Sequence, residues 1–191
     1  EELISTRMKI FSDIEHSCTQ YLASKGINAQ VFLLPGGTGL KILKDSNNLP
    51  EILNVLPIIE LDLSSLVTFN IETLRHCSIV ALTLPDKTQL DFDQLLPLGL
   101  KKLAVRKCTN HDFSRLSNSR IEILEIPESR ITSTEFCADM RLTRLNLANA
   151  PIEELSHISN SKLTHLNLLK TKISNLDSLA GMPIQEVSLA G

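Results

Sequence analysis

The chain has 191 residues and a formal net charge of −3; 34 residues are Leu and 18 are Ile, whereas the aromatic ones are six Phe and one Tyr. With 42% hydrophobic and 21% charged residues the composition is typical of a folded globular protein, and it excludes a disordered one. The scarcity of aromatic residues disfavours single-stranded nucleic-acid binding, the lack of a basic stripe disfavours binding to a phosphate backbone, and no apolar run is long enough for membrane insertion.

The N-terminal segment predicts a helix followed by a short strand. Apolar residues from Leu3 to Leu22 recur with helical spacing, so an amphipathic helix is expected there, and Gly26 is a suitable stop. A strand is expected from Gln30 to Leu34, ended by Pro-Gly-Gly. Two interpretations of the helix stay open: its apolar face covers the end of the structure that follows, or it links the chain to an upstream domain.

From residue 58 onward an apolar pattern recurs every 21 residues. The pattern apolar-x-x-apolar-x-apolar starts at Ile58, Ile79, Leu100, Ile121, Leu142, Leu163 and Ile184. We number the first residue of each repeat as position 0. Apolar residues at positions 0, 3 and 5 predict a strand with one buried face. Residues 37–57 carry a faint copy of the same pattern, with Leu40 and Ile42 at positions 3 and 5.

The second half of each repeat predicts a short helical turn. Apolar residues recur near positions 10, 13 and 16, which suits a 3₁₀ or helical turn, and Asn, Asp or Ser at position 12 would cap it in most repeats. In the fourth repeat Thr134 breaks the column at position 13, and Phe136 is expected to fill the space. A single coil cannot bury its own apolar side, so the coils must stack and form a parallel sheet.

The repeats resemble leucine-rich repeats of the short bacterial type. The segment LTHLNLLKTKISNLDSLAGMP, residues 163–183, is similar to the family consensus LxxLxLxxTxIxxLxxLxxMP. The resemblance implies an α/β solenoid, a curved right-handed coil with a parallel β-sheet on its concave face and short 3₁₀ or helical turns on its convex face. Residues 1–57 would form an N-terminal helical cap with a degenerate half-repeat, and residues 58–191 the repeats. At position 8 Thr171 fits the family, and Cys108 and Ser129 could donate the same backbone hydrogen bond.

The sequence predicts no catalytic, cofactor or metal site. Gly36 to Lys41 lacks the spacing of a phosphate-binding loop, and Cys108 with His111 lacks the two further ligands that a zinc site needs. The four cysteines are Cys18, Cys77, Cys108 and Cys137. Their wide spacing predicts reduced thiols and hence a cytoplasmic protein.

Positions 2, 4 and 6 point away from the core on the concave sheet and form the predicted partner-binding face. Repeat 3 is basic and repeat 4 acidic, so either Lys102 and Arg106 pair with Glu125 and Glu128, or the bipolar patch orients a protein partner. These positions hold no aromatic residue. The candidate partner-binding residues are Glu60, Asp62, Lys102, Arg106, Ile123, Glu125, Arg144, Asn146, His165, Asn167 and Leu169.

The sequence therefore predicts a non-enzymatic protein-interaction module or scaffold that binds a protein and neither nucleic acid nor membrane. The alternative is a regulatory or oligomerising region of a bacterial multidomain protein, because similar repeats occur in serine/threonine-kinase-like proteins. The missing initial Met and an open end at Ser188 to Gly191 indicate the repeat region of a larger protein. Self-association through that open end is a further expectation.

Overall fold

The structure is a computed structural model, and it describes residues 2–110, 112–158 and 162–189. The side chains of residues 2–12, on which most of the predicted apolar helix face depends, lie outside this description. So do His111 of the predicted Cys-x-x-His pair and the last two residues of the predicted open end, Ala190 and Gly191.

In the described ranges nine strands form one sheet, and their order in the sheet is their order in the chain. The first two strands pair antiparallel as a hairpin, and every later pair is parallel. The register aligns position 3 of each repeat with position 3 of the next, as in Leu61, Leu82 and Leu103. The predicted parallel sheet with a 21-residue register is therefore confirmed. The strands are β1 (Ala29–Leu34), β2 (Gly37–Ile42), β3 (Ile58–Asp62), β4 (Ala81–Leu84), β5 (Lys102–Val105), β6 (Ile123–Glu125), β7 (Arg144–Asn146), β8 (His165–Asn167) and β9 (Glu186–Ser188).

Short helices close each coil on the side opposite the sheet, as positions 10 to 16 predict. They are α2 (Leu49–Val55), α3 (Phe92–Leu95) and 3₁₀ turns at Ile71–Leu74, Leu96–Leu98, Ser114–Leu116, Glu135–Cys137, Ser156–Ile158 and Asp177–Leu179. In five repeats the side-chain oxygen at position 12 accepts a hydrogen bond, 2.6–3.1 Å long, from the backbone N–H two residues later. The accepting residues are Asn70, Asp91, Asp112, Ser133 and Asn175. The predicted caps are confirmed at Asn70 and Asp91, whose side chains satisfy N–H groups that the turn leaves free. At Asp112, Ser133 and Asn175 the prediction is wrong by one residue, because the 3₁₀ turn is capped by the residue that follows and the side chain bonds to the turn from one position earlier.

The core lies between the sheet and these turns. Leu and Ile at positions 0, 3 and 5 are buried from the first coil to the sixth. Three aromatic rings lie in a row along the turns. The ring centroids of Phe92 and Phe113 are 5.8 Å apart in an edge-to-face arrangement, and those of Phe113 and Phe136 are 5.4 Å apart and tilted. Phe136 thus fills the space beside Thr134 as expected, while the buried Thr134 hydroxyl has no hydrogen-bond partner within the described ranges.

The turns after β4, β5, β6, β7 and β8 each use a left-handed residue that is not glycine. Lys107, Glu128, Asn149 and Lys170, all at position 7, have φ between 54° and 59°. The N–H groups of Lys107, Glu128 and Asn149 each donate to the carbonyl at position 6 of the next coil, at 2.7–2.9 Å. In the second coil the left-handed residue is Lys87, one position later. The parallel hydrogen-bond ladder therefore continues past the strands into the turns.

The expectation for position 8 is only partly met. Thr171 Oγ1 donates to the carbonyl of Leu168 at 2.8 Å. Cys108 Sγ bonds instead to Asn110 Oδ1 at 3.3 Å, and Asn110 binds both backbone groups of Leu90 in the preceding coil, at 2.6 and 3.0 Å. Ser129 Oγ reaches no acceptor in the described part of the chain. The predicted backbone bonds of Cys108 and Ser129 are therefore wrong, because a side-chain amide two residues later takes that role in the third coil and the fourth has none.

The helix α1 (Glu2–Ser24) lies against the outer strand β1. The chain leaves the helix at Gly26, whose φ of 73° suits a residue without a side chain. Leu22 is fully buried, and Glu15 Oε1 accepts the N–H of Leu33 at 3.2 Å. This carboxylate satisfies a backbone donor of β1. The division of the chain into a cap, 1–57, and repeats, 58–191, stays a prediction.

Candidate protein-binding face of the sheet

The face of the sheet that points away from the core consists of two rows of side chains, here called the sheet face. The strand register puts position 2 of each repeat in one row and position 4 in the other. From β2 to β9 the first row is Gly39, Glu60, Ala81, Lys102, Ile123, Arg144, His165 and Glu186. The second row is Lys41, Asp62, Thr83, Ala104, Glu125, Asn146, Asn167 and Ser188.

Charges near the N-terminal end of the sheet face are already paired. Lys41 Nζ lies 3.4 Å from Asp62 Oδ2, and Lys102 Nζ lies 4.0 Å from Glu60 Oε1. Lys102 reaches Glu60 across the intervening strand because the residue between them, Ala81, is small. The predicted pairing of Lys102 with Glu125 is therefore wrong.

Arg106 lies at position 6, in the turn after β5, and binds two carboxylates. Its guanidinium is 2.8 Å from Asp86 Oδ2 and 3.3 Å from Glu128 Oε1, and Lys107 Nζ is 3.6 Å from Glu128 Oε2. The hydrogen bond and charge of Asp86, with the charge of Glu128, raise the pKa of Arg106 above its ordinary value. The predicted pair of Arg106 with Glu128 is confirmed, and this arginine is satisfied within the chain.

Asn146 and Asn167 each use their side-chain carbonyl oxygen to hold the following turn. Their Oδ1 atoms accept the N–H groups of Ala148 and Leu169 at 3.1 and 3.0 Å. Asp62 does the same for the N–H of Ser64, at 2.8 Å. Position 4 therefore has a structural function, and the asparagine NH₂ groups are the part of these side chains that a partner would meet.

Two opposite charges on β6 and β7 have no ion-pair partner in the described ranges: Glu125 and the exposed Arg144. Ile123, half-buried, is the neighbour of Arg144 in the first row. On the next strand His165 Nδ1 lies 2.8 Å from Thr164 Oγ1, and its Nε2 lies 3.9 Å from Glu186 Oε2. The region around β7 is therefore where unpaired charge and partly exposed apolar surface meet.

Sequence reasoning missed one aromatic residue on this side of the sheet. Phe32 on β1 pairs with Gly39 on β2, and its ring covers that glycine, next to Glu60. The prediction that no aromatic side chain lies on this side holds for the repeats and is wrong for the hairpin. The signal that could have found it is the turn residue Gly36 between two short alternating segments, which is typical of a hairpin.

The described residues also bear on metal binding, membrane insertion and thiol chemistry. Where residues are described, no group of three or more His, Cys, Asp or Glu is arranged to hold a metal ion. None of the described helices is long and apolar enough to cross a membrane. All four cysteines are free, and burial raises the pKa of the Cys77, Cys108 and Cys137 thiols.

No family model and no curated protein matches the sequence. Among solved structures, an internalin C2 from Listeria monocytogenes superposes with a TM-score of 0.62 and 24% identity, covering 74% of this chain and 66% of that one. A second internalin of the same species, inlF, superposes with a TM-score of 0.60 and 19% identity, covering 72% and 42%. Internalins are leucine-rich repeat proteins.

The chain has the leucine-rich repeat fold. The superposition agrees with the mostly parallel sheet and the short turns on the opposite side, so the predicted α/β leucine-rich repeat solenoid is confirmed. This leucine-rich repeat chain spans 66% of the length of internalin C2 and 42% of the length of inlF. The 21-residue bacterial repeat type and the context of a larger protein stay predictions.

Proposed function

We propose that this leucine-rich repeat chain is a non-enzymatic protein-binding module whose partner contacts the sheet face over β6, β7 and β8. The observation that carries the proposal is the pair of unsatisfied charges, Glu125 and Arg144, beside the partly exposed Ile123. Charges that lack an internal partner can bind oppositely charged groups without first breaking an ion pair.

The remaining predicted residues divide into two groups. Glu60, Asp62, Lys102 and Arg106 are paired within the chain, so a partner would have to compete for them. The second group surrounds Arg144 and supplies mixed chemistry: Ile123, Glu125, Asn146, His165, Asn167 and Leu169. A partner that fits this group presents a carboxylate to Arg144 and a cation to Glu125. Without an aromatic anchor on these strands, the expected affinity is modest.

The test compares two arginines that lie three residues apart. Arg144 lies on the sheet face and Arg141 lies before β7, and both are exposed. Wild type, Arg144→Glu and Arg141→Glu are immobilised, and proteins recovered from an extract of the source organism are quantified by mass spectrometry. We expect a protein that wild type and Arg141→Glu recover and that Arg144→Glu does not. Calorimetry with this purified partner then measures the loss of affinity directly. Equal recovery by both variants would contradict the proposed face.

A second candidate function is self-association through the end of the stack at β9. Leu176 and Leu189 are 38% and 49% exposed, and other aliphatic residues of this end are only partly buried: Ile173, Leu179, Met182, Ile184 and Val187. A second copy packed on this surface would remove it from water. Sedimentation velocity of wild type and Leu176→Lys tests this idea. A wild-type monomer at high concentration would rule it out.

The wider setting also remains a proposal. We infer from the sequence a repeat region of a larger bacterial multidomain protein, with a regulatory role beside a serine/threonine-kinase-like part as the alternative to a scaffold. We also propose that the protein is cytoplasmic. Sequencing the surrounding open reading frame tests the first statement, and fractionation of the source cells tests the second.

A further inference from the structure

One column of the core is interrupted in the third coil. Position 19 holds an apolar residue in the coils on either side, Leu98 and Met140, and both pack on the core. In the third coil position 19 is Ser119, which is too short to fill the same space. Its hydroxyl accepts the N–H of Ile121 at 3.4 Å, so it is held near the backbone.

A cavity of about 470 Å³ lies at this interruption, between the second and third coils. Its floor is aliphatic and includes Leu95, Leu103, Leu116 and Ile121, each at most 4% exposed, and the more accessible Leu96 and Pro97 form its apolar side. Polar residues of the loop before β6, Asn118, Ser119 and Arg120, surround the mouth together with Arg115. The volume falls within the range of small-molecule sites, and an apolar wall with a few polar groups at the mouth is the usual composition of such sites.

The charge at the mouth is positive. Arg115 and Arg120 line the cavity, and no carboxylate does. Arg115 is bonded to Asp93 of the preceding coil. Arg120 makes no ion pair or side-chain hydrogen bond to any described residue. An unpaired guanidinium beside an aliphatic wall complements a molecule with an apolar body and one negative charge.

We propose that this cavity binds a small amphiphilic carboxylate, with its apolar body against Leu96 and Pro97 and its carboxylate on Arg120. The site lies in the loops that lead from the helical turns to β5 and β6 and not on the sheet face, so it goes beyond the proposed protein-binding function. A large apolar residue in place of Ser119 would close it.

The test uses 2-naphthoate and its uncharged analogue 2-naphthamide, titrated into the full chain and followed by ligand-observed NMR. Wild type is expected to bind naphthoate about tenfold more tightly than naphthamide, since a hydrogen bond to a charged group contributes that much. Arg120→Gln should remove this preference, while Arg130→Gln, a matched loss of an exposed charge that lines neither this cavity nor the adjoining one, should keep it. Ser119→Met should weaken both ligands at least about tenfold, because its side chain fills the cavity.

Three results would overturn the proposal. They are no binding of naphthoate to wild type, an unchanged preference in Arg120→Gln, or wild-type affinity in a folded Ser119→Met variant. Far-UV circular dichroism establishes that each variant is folded. Arg120 is exposed, so Arg120→Gln decides the question even where Ser119→Met does not fold.

Discussion

Replacing Gly39 by Ala tests how the N-terminal edge of the sheet is built. A Cβ atom at Gly39 would overlap three carbons of the Phe32 ring, on the neighbouring strand of the hairpin. Either the ring moves away or the strands separate. Overpacking of this kind costs about 1–3 kcal/mol. We therefore expect Gly39→Ala to lower the free energy of unfolding by about 2 kcal/mol.

The sign of the effect depends on the ring. When Phe32 is replaced by Ala, the space above Gly39 is open, and Ala is favoured over Gly in a strand by about 0.5–1 kcal/mol. The same Gly39→Ala change is therefore expected to stabilise the Phe32→Ala variant. The coupling free energy between the two positions is about 2.5–3 kcal/mol, the sum of the two effects.

Urea unfolding of the four proteins of this cycle, followed by far-UV circular dichroism, measures the coupling. Gly37→Ala is the matched control. Its Cβ would lie 2.8 Å from Ile59 Cγ2 and 2.9 Å from the Pro57 carbonyl oxygen, neither of which belongs to β1. The control should destabilise both backgrounds equally. If Gly39→Ala has the same effect with and without Phe32, the reasoning is refuted.

Three further outcomes are expected. Thr134→Val should raise the free energy of unfolding by about 1 kcal/mol, because it removes a buried hydroxyl that has no partner in the described ranges; a decrease in urea unfolding would contradict this. The backbone N–H and the hydroxyl of Ser114 hold the pKa of Asp112 below its ordinary 3.8. The stability that the Asp112 carboxylate contributes is therefore fully present above pH 3.8 and is lost as pH falls through the lower pKa of the folded state. Asp112→Ala should therefore destabilise the chain at neutral pH, with the difference from wild type shrinking in strong acid; a gap that stays constant with pH would count against it. Burial raises the pKa of the Cys137 thiol, so a disulfide-exchange reagent should modify it only on denaturation, and rapid labelling of the native chain, located by mass spectrometry, would disprove this.

Most of the fold follows from spacing alone. Apolar residues at fixed intervals of 21 leave few arrangements that bury them. In every repeat from the second to the seventh, the strand begins at position 2. Position 12 could be predicted for the same reason, because a short polar side chain before a turn bonds to the N–H groups it finds there. These features depend on local sequence and on one repeated contact.

The partners of long charged side chains could not be predicted with the same success. Adjacent strands suggested Glu125 for Lys102, yet Lys102 extends past Ala81 to Glu60 two strands away. A lysine reaches several neighbours at nearly equal cost, so the sizes of the residues between them decide the pair. Arg106 with Glu128 was predictable because both lie in successive turns of the same shape.

The hairpin shows a different limit. The predicted strand from Gln30 to Leu34 is confirmed, as β1, but its antiparallel pairing with β2 and the place of Phe32 on the sheet face were missed. Nothing in a repeat pattern predicts what precedes the first repeat. Only the turn between the two strands carries that information.

The left-handed turn residues make the length of this molecule adjustable in whole coils. Lys107, Glu128 and Asn149 share one backbone conformation and donate to the same carbonyl position of the next coil. If residues 121–141 were excised, the N–H of Lys107 would meet the carbonyl of Ala148 in place of that of Pro127, with no change of backbone geometry. Insertions and deletions of whole multiples of 21 residues therefore preserve the main-chain pairing, whereas other lengths either have to be accommodated in a loop or shift the later strands out of register. A lineage can therefore lengthen or shorten the sheet face one strand at a time.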